Sequence, residues 1–182
     1  MVRFEFAVLD FIQRHLRTPL GDAVMPLITS LGNGGFLWIL TGVILLCRKK
    51  HRRTAVILFL ALGIEVILCN VYLKNAIASS RPFTLNPSVK LLIPAPQDYS
   101  FPSGHTGASF AAVWALRLGG VKYWYLALIP AVLIAFSRMY LYVHFPTDIL
   151  GGIGVGILSA YLSKGGVKFL ESHGGKSRTS AL

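Results

Sequence analysis

Apolar positions in this chain fall in long blocks separated by short polar or basic clusters. A helix that crosses the hydrocarbon core of a bilayer needs roughly 20 mostly apolar residues. Five blocks approach that length: residues 22–47, 54–73, 104–118, 123–142 and 146–162. The first is interrupted by Gly32-Asn33-Gly34-Gly35 and is long enough only if both halves count, which predicts one spanning helix kinked or broken at those glycines. The third is short and needs extending at either end. The prediction is an all-α fold, a multi-pass membrane helical bundle of about five spanning helices plus an N-terminal interfacial amphipathic helix.

Residues 1–18 carry that different pattern. On a helical wheel Phe4, Ala7, Val8, Phe11 and Ile12 share one face, and Arg3, Asp10, Gln13, Arg14 and Arg17 share the opposite arc. This predicts a helix lying in the membrane interface or packed on the protein's own surface. Charges interrupt the apolar stretch that a signal peptide needs. The chain reads as one membrane-embedded domain: residues 1–18 the interfacial helix, 22–163 the spanning core, and 164–182 a cytoplasmic tail that ends in Ser, Gly, Lys and Arg.

Composition agrees with this layout. Apolar residues make up 54% and charged residues 14% of the chain, with a mean hydropathy of +0.61. Soluble domains carry about a quarter charged residues, so a disordered chain is excluded and an ordinary soluble enzyme is disfavoured. Lys plus Arg number 18 against 7 Asp plus Glu, a net charge of +11. In a soluble protein that excess would suggest nucleic acid. Here it is assigned to basic membrane flanks and an anionic substrate, with no nucleic-acid partner. Arg48, Lys49, Lys50, Arg52 and Arg53 follow the first block, Arg117 and Lys122 the third, and Lys164, Lys168, Lys176 and Arg178 the fifth. With five spans these clusters share one side, which the excess of Lys and Arg marks as cytoplasmic. Residues 74–101 and 138–148 then meet on the extracytoplasmic side.

Three polar segments stand at span ends on that side: Lys74 to Pro82, Pro102-Ser103-Gly104-His105, and Ser137 to Asp148. Lys74, Arg81 and Arg138 are costly at a membrane boundary unless an anion pairs them. Asp148 alone cannot balance three cations, whereas a phosphate group can: Arg presents a planar fork to its oxygens and Lys a point charge. Each residue taken singly also reads as snorkelling to lipid headgroups. Ser103 suits a helix N-cap and Gly104 permits close backbone approach, so this triplet reads as an anion site or as an ordinary capped helix. His144 and Asp148 lie four residues apart around Pro146, a residue that favours the first helical turn. Asp148 can there fix the tautomer of His144 and leave its other nitrogen free as a nucleophile. The alternative is a structural histidine beside a capping aspartate. With His105, the set suffices for phosphoryl transfer: one imidazole attacks, one handles the leaving-group proton, and the cations stabilise the phosphoryl oxygens.

These segments resemble the signature of the type 2 phosphatidic acid phosphatase superfamily, which includes the vanadium haloperoxidases. Its pattern is Lys, six residues, Arg-Pro; then Pro-Ser-Gly-His; then Ser-Arg, five residues, His, three residues, Asp. Lys74, Arg81, Pro82, Pro102, Ser103, Gly104, His105, Ser137, Arg138, His144 and Asp148 fill every specified position. The resemblance implies that His144 forms a phosphohistidine, that Asp148 orients it, and that His105 protonates the leaving oxygen and then activates water. Lys74, Arg81, Ser103, Gly104 and Arg138 would hold the phosphate, with no metal and no cofactor. It implies a membrane lipid phosphate or diphosphate as substrate, foremost undecaprenyl pyrophosphate, with phosphatidylglycerophosphate, phosphatidic acid or lipid A 1-phosphate as alternatives. The implied location is the bacterial plasma (inner) membrane. A non-catalytic binder or transporter of anionic lipids would share the basic site but has no need of two histidines and Asp148. A haloperoxidase-like vanadate enzyme is disfavoured by the spans. No oligomeric state is assigned.

The remaining features are read as structural. Residues 83–101, with three prolines and Tyr99, are expected to border the site and influence selectivity. Glu65 inside the second span is expected to make an interhelical hydrogen bond. Gly152 and Gly156 predict close helix packing. Trp38, Trp114, Trp124, Tyr123 and Tyr125 suit interface anchors. Cys47 and Cys69 form no metal or disulfide pattern and read as packing residues.

Overall fold

A computed structural model describes residues 2–174; Lys176, Arg178 and the rest of the expected tail end lie outside the described residues. Helix α1 (Val2–Phe11) runs into a π-helical turn, Ile12–Leu16. Helix α2 (Pro19–Ser30) starts with proline in its first turn, capped by the Thr18 hydroxyl, which accepts the Gly21 N–H at 3.0 Å. A short turn, Asn33–Gly35, leads to α3 (Phe36–Leu46), and the two helices bend by 50°. Gly34 (φ 57°) and Gly35 (φ 72°) take left-handed backbone that other residues resist. The break therefore lies where the glycines predict it.

Helix α4 (Arg52–Val66) continues through a π-helical stretch, Ile67–Leu73, into α5 (Lys74–Ile77). The short α6 (Pro82–Leu85) and an irregular loop precede α7 (Gly104–Leu118), α8 (Leu128–Tyr140) and α9 (Pro146–Gly174). Two helical stretches, Lys49–Leu85 and Pro146–His173, are individually long and apolar enough to cross a membrane, and the bent α2–α3 pair makes a third. Helix α7 and the Trp124–Tyr140 stretch are shorter. Helices α4, α7 and α9 meet at one end of the bundle, and α2, α7, α8 and α9 at the other. At one end the Thr54 hydroxyl donates to the Gly119 carbonyl (2.9 Å) and Arg53 pairs with Glu171 (2.8 Å). At the other the Ser103 N–H donates to the Asp148 carbonyl (3.0 Å) and Arg138 to Thr29 (2.6 Å).

Helix α7 is the axis. Ala111, Ala112, Val113 and Ala115 are fully buried between α4 and α9 with Ile57, Leu58 and Ala160. Small residues let backbones approach: a methyl group on Gly156 would strike the Gly107 carbonyl and the Ala111 amide, and one on Gly152 the Ser103 carbonyl. The predicted close packing of Gly152 and Gly156 is thus the α7–α9 contact within the chain. Outward faces such as Leu40, Val43 and Ile44 on α3 and Ile129, Val132 and Leu133 on α8 are exposed and apolar, the surface a lipid environment demands.

The structure corrects several expectations. Helix α1 lies at the site end, with its apolar residues divided between the protein and the surroundings. Leu9 and Ile12 are buried, Glu5 bonds Thr147, and Phe4 and Phe11 point outward. Trp38 is no interface anchor: it is 2% exposed and its indole N–H donates to Ser109 (3.0 Å). Cys69 is buried but Cys47 is exposed. The final helix does not stop near Leu162 but runs to Gly174, through much of the expected tail. Glu65 touches α7 at Gly107, yet its Oε1 has no hydrogen-bond partner among the described residues, against the expected interhelical bond.

Candidate active site

The third polar segment folds into a tight turn between α8 and α9. Tyr142 in that turn adopts φ 59°, and Ala78, between Lys74 and Arg81, adopts φ 49°. These are the described non-glycine residues with left-handed backbone, and each lies in a turn that carries site residues. Such conformations cost of order 1–3 kcal/mol and need support. Tyr142 has it: its hydroxyl accepts from Asn86 (3.1 Å) and donates to Asp10 of α1 (3.1 Å). Helix α1 therefore braces the turn that presents His144.

His144 is 1% exposed. Its Nδ1 lies 3.2 Å from Asp148 Oδ2, which also accepts the Ser100 hydroxyl (2.5 Å) and the Phe145 N–H (2.8 Å). An acceptor held by three donors fixes the proton on Nδ1 and leaves the lone pair on Nε2. That nitrogen faces Arg81 Nη1 at 3.3 Å. Burial, and then the Arg81 and Arg138 charges, hold the imidazole pKa well below its ordinary value, so it is neutral at physiological pH.

Arg81 precedes Pro82, which keeps it extended (φ −84°, ψ 156°). It donates from Nε to the Asp98 carbonyl (2.7 Å), from Nη1 to the Val143 carbonyl (2.7 Å), and from Nη2 to Asp98 Oδ1 (2.7 Å). Lys74 donates to the other Asp98 oxygen, Oδ2. Partial burial alone would raise the Asp98 carboxyl; Lys74 and then Arg81 outweigh it and pull it down to about 2. Arg138 is 3% exposed, bonds Thr29, and leaves its Nε without a partner. A buried guanidinium with an unused donor is costly unless a ligand completes it.

Ser103 occupies the N-cap position of α7, but its hydroxyl makes no cap bond and instead accepts from Thr106 (3.1 Å). The first N–H groups of α7 accordingly lack an intrahelical partner. His105, in that first turn, pairs its Nε2 with Asn33 Oδ1 (2.9 Å). The α2–α3 break thus supplies the partner for the second histidine.

Lys74, Arg81, Gly104, His105, Arg138 and His144 all line one cavity of about 800 Å³. Asp148 and Ser103 stand behind this wall, Asp148 against His144 and Ser103 against the Asp148 backbone. The eight residues predicted from sequence therefore converge, six on the wall and two in support. Sequence reasoning missed Asp98, Ser100, Thr29 and Asn33. Asp98 had a signal: it is the acid between the first two cationic segments, and charge accounting that stopped at Asp148 passed over it. Thr29 and Asn33 carry none, because only the fold brings α2 to the site. Among the described residues no three His, Cys, Asp or Glu side chains group as metal ligands.

Buried cations and two histidines thus line one cavity among the helices. The PAP2 superfamily model matches residues 54–170, which include every residue of the signature, and the chain belongs to that superfamily. It is 36% identical over 129 residues to an undecaprenyl-diphosphatase of Sulfolobus acidocaldarius, covering 70% of this chain and 62% of that protein. The chain thus spans less than two thirds of that relative's length. The crystal structure of Aquifex aeolicus LpxE is similar with a TM-score of 0.76 and 30% identity, over 88% of this chain and 94% of that one. A transmembrane PAP2-type phosphatidylglycerolphosphate phosphatase of Bacillus subtilis is similar with a TM-score of 0.66 and 26% identity, over 93% and 94%. This chain is accordingly a multi-pass membrane protein.

Proposed function

We propose that this protein removes a terminal phosphate from a membrane lipid through a phosphohistidine, with undecaprenyl diphosphate, converted to undecaprenyl phosphate and phosphate, as the foremost substrate. Phosphatidylglycerophosphate, phosphatidic acid and lipid A 1-phosphate are the alternatives within the same chemistry. The observation that carries the reading is the convergence of three buried cations and two histidines on one cavity, with His144 on its wall and Asp148 behind it. The cavity also reaches between α3 and α4, where Ile39, Phe59, Leu62 and Val66 line it. A polar head with an apolar extension fits a phosphate joined to a hydrocarbon tail.

In the first step His144 Nε2 attacks the terminal phosphorus while its bond to the leaving oxygen breaks, the bridging oxygen of a diphosphate or the ester oxygen of a monoester, and His105, protonated at the outset, delivers its proton to that oxygen. Water then attacks the phosphohistidine, giving up a proton to His105, and phosphate and free His144 result. Lys74, Arg81 and Arg138 stabilise the phosphoryl oxygens, the role magnesium fills in other phosphoryl-transfer sites. Asp148 retains the Nδ1 proton and stabilises the positive charge on the phosphorylated ring.

The site is assigned to the extracytoplasmic face of a bacterial plasma membrane. Arg48, Lys49, Lys50, Arg52, Arg53, Arg117 and Lys122 gather at the opposite end, as cytoplasmic flanks do. The deciding experiment assays undecaprenyl diphosphate, phosphatidylglycerophosphate and phosphatidic acid side by side in detergent, with EDTA and with vanadate. Phosphate release that resists EDTA and is blocked by vanadate is expected. Tight lipid binding without release from any of them would identify a binding protein instead.

A further inference from the structure

The cations that must grip the substrate phosphate are already engaged. Asp98 takes Lys74 through one carboxylate oxygen and Arg81 Nη2 through the other, while its main-chain carbonyl takes Arg81 Nε. Arg81 spends its remaining contacts on the Val143 carbonyl, the Tyr99 carbonyl and His144 Nε2. Little of Lys74 or Arg81 is left for an incoming anion while Asp98 stays. The two cations are 6% and 4% exposed, yet the Asp98 side chain is 55% exposed. It reaches inward from a loop whose neighbours Ile93, Pro94 and Pro96 also line the cavity. The cations belong to the bundle, and the carboxylate belongs to the irregular segment at its mouth.

We propose that Asp98 is a displaceable counter-ion that sets substrate specificity: it is exchanged for a phosphate group carrying more than one negative charge, and it excludes phosphodiester headgroups that carry only one. The inference rests on the phosphatase reading and adds to it the reason the site is not filled by ordinary lipids. A bilayer offers phosphodiesters at high density beside any site on its surface. An open cluster of three cations would bind them. A carboxylate with one charge and two oxygens matches a phosphodiester closely, so exchange gains nothing. A terminal phosphate or diphosphate brings a charge near −2 or beyond and three acceptor oxygens, enough to occupy Lys74, Arg81 and the unused Nε of Arg138 together. Asp98 is thus a specificity residue acting through Lys74 and Arg81, without a part in bond breaking.

The test uses the full chain in detergent micelles, with Asp98→Asn and Asp98→Glu beside the wild type. Two quantities are measured: the affinity for inorganic phosphate, and lipid phosphatase activity as phosphatidylglycerol replaces neutral detergent in the micelle. The expected result is roughly five- to tenfold tighter phosphate binding in Asp98→Asn. Phosphatidylglycerol should inhibit that variant competitively, raising KM without lowering kcat, at densities that leave the wild type unaffected. Asp98→Glu should restore discrimination. Were Asp98 only a brace for Lys74 and Arg81, its loss would weaken phosphate binding; weaker or unchanged affinity in Asp98→Asn overturns the proposal, as does equal sensitivity of both proteins to phosphatidylglycerol. Absence of phosphate binding and of turnover in the wild type would instead fail the phosphatase reading itself, and the specificity role with it.

Discussion

The two ends of this bundle use the same residue types for opposite purposes. At one end Arg48, Lys49, Lys50, Arg52, Arg53, Arg117 and Lys122 stand exposed, and the Arg53–Glu171 pair has both side chains in solvent. At the other Lys74, Arg81 and Arg138 are withdrawn from solvent around a cavity, where they meet Asp98, Thr29 and His144. Exposed charges are screened and interchangeable; only their number matters, as a topology signal. Buried charges are fixed in direction and costly to leave unpaired: Asp98 holds Lys74 and Arg81, and Arg138 keeps an unused Nε. Position relative to solvent, not residue type, separates an orientation signal from a binding site.

Substitutions can break or sharpen that contrast. The largest effect is expected from His144→Ala, which removes the nitrogen proposed to attack phosphorus: turnover should fall roughly 10³-fold or more, with thermal unfolding retained as the check that the bundle still forms. A variant with wild-type activity would refute the phosphohistidine route. Next, Arg138→Gln should lower kcat/KM by roughly 10²–10³-fold, while Arg117→Gln at the other end leaves it unchanged. Comparable losses from both would erase the distinction between the ends.

Gly156→Ala tests what holds the site end in register. The added methyl meets backbone on α7, which cannot rotate away, so a loss of roughly 1–3 kcal/mol is expected, read as a lower unfolding temperature. Gly154→Ala is the control, since that position is open.

A smaller effect follows from the titration of His144. Its folded pKa lies well below its value in an unfolded chain, about 6.5. As pH falls through 6.5 the unfolded chain takes up a proton that the folded site refuses, so stability drops on the acid side. Nitrogen-15 histidine spectra at pH 6 should show His144 still neutral, with the acid-side loss of unfolding temperature reduced in His144→Ala. A ring already protonated at pH 6 would contradict this. Smallest of all, Arg53→Ala should leave both activity and unfolding temperature unchanged within error, because an exposed pair contributes little.

Much of the site was legible because its chemistry requires fixed spacings. Lys74 and Arg81, Ser103 to His105, and Arg138 to Asp148 each lie within one local segment, and the structure joins them as their polarity demands. The glycine break and the Gly152–Gly156 contact were equally plain, since backbone freedom and backbone approach leave a compositional trace. Hydrophobicity failed where two apolar surroundings compete. Trp38 lies in the core rather than at an interface, yet in sequence it is one more aromatic in an apolar block. Asp98 escaped for another reason. It sits in an irregular loop without period, and its signal, an acid close along the chain to Lys74 and Arg81, shows only when charges are balanced across that loop.

The clasp between α7 and α9 has a consequence for assembly. Asp148, the carbonyl that accepts from Ser103, and the glycines that seat against α7 all belong to α9. Until α9 seats, the Ser103 N–H has no Asp148 carbonyl to meet and the small-residue stripe of α7 stays uncovered, so the site end is completed only when these two helices come together.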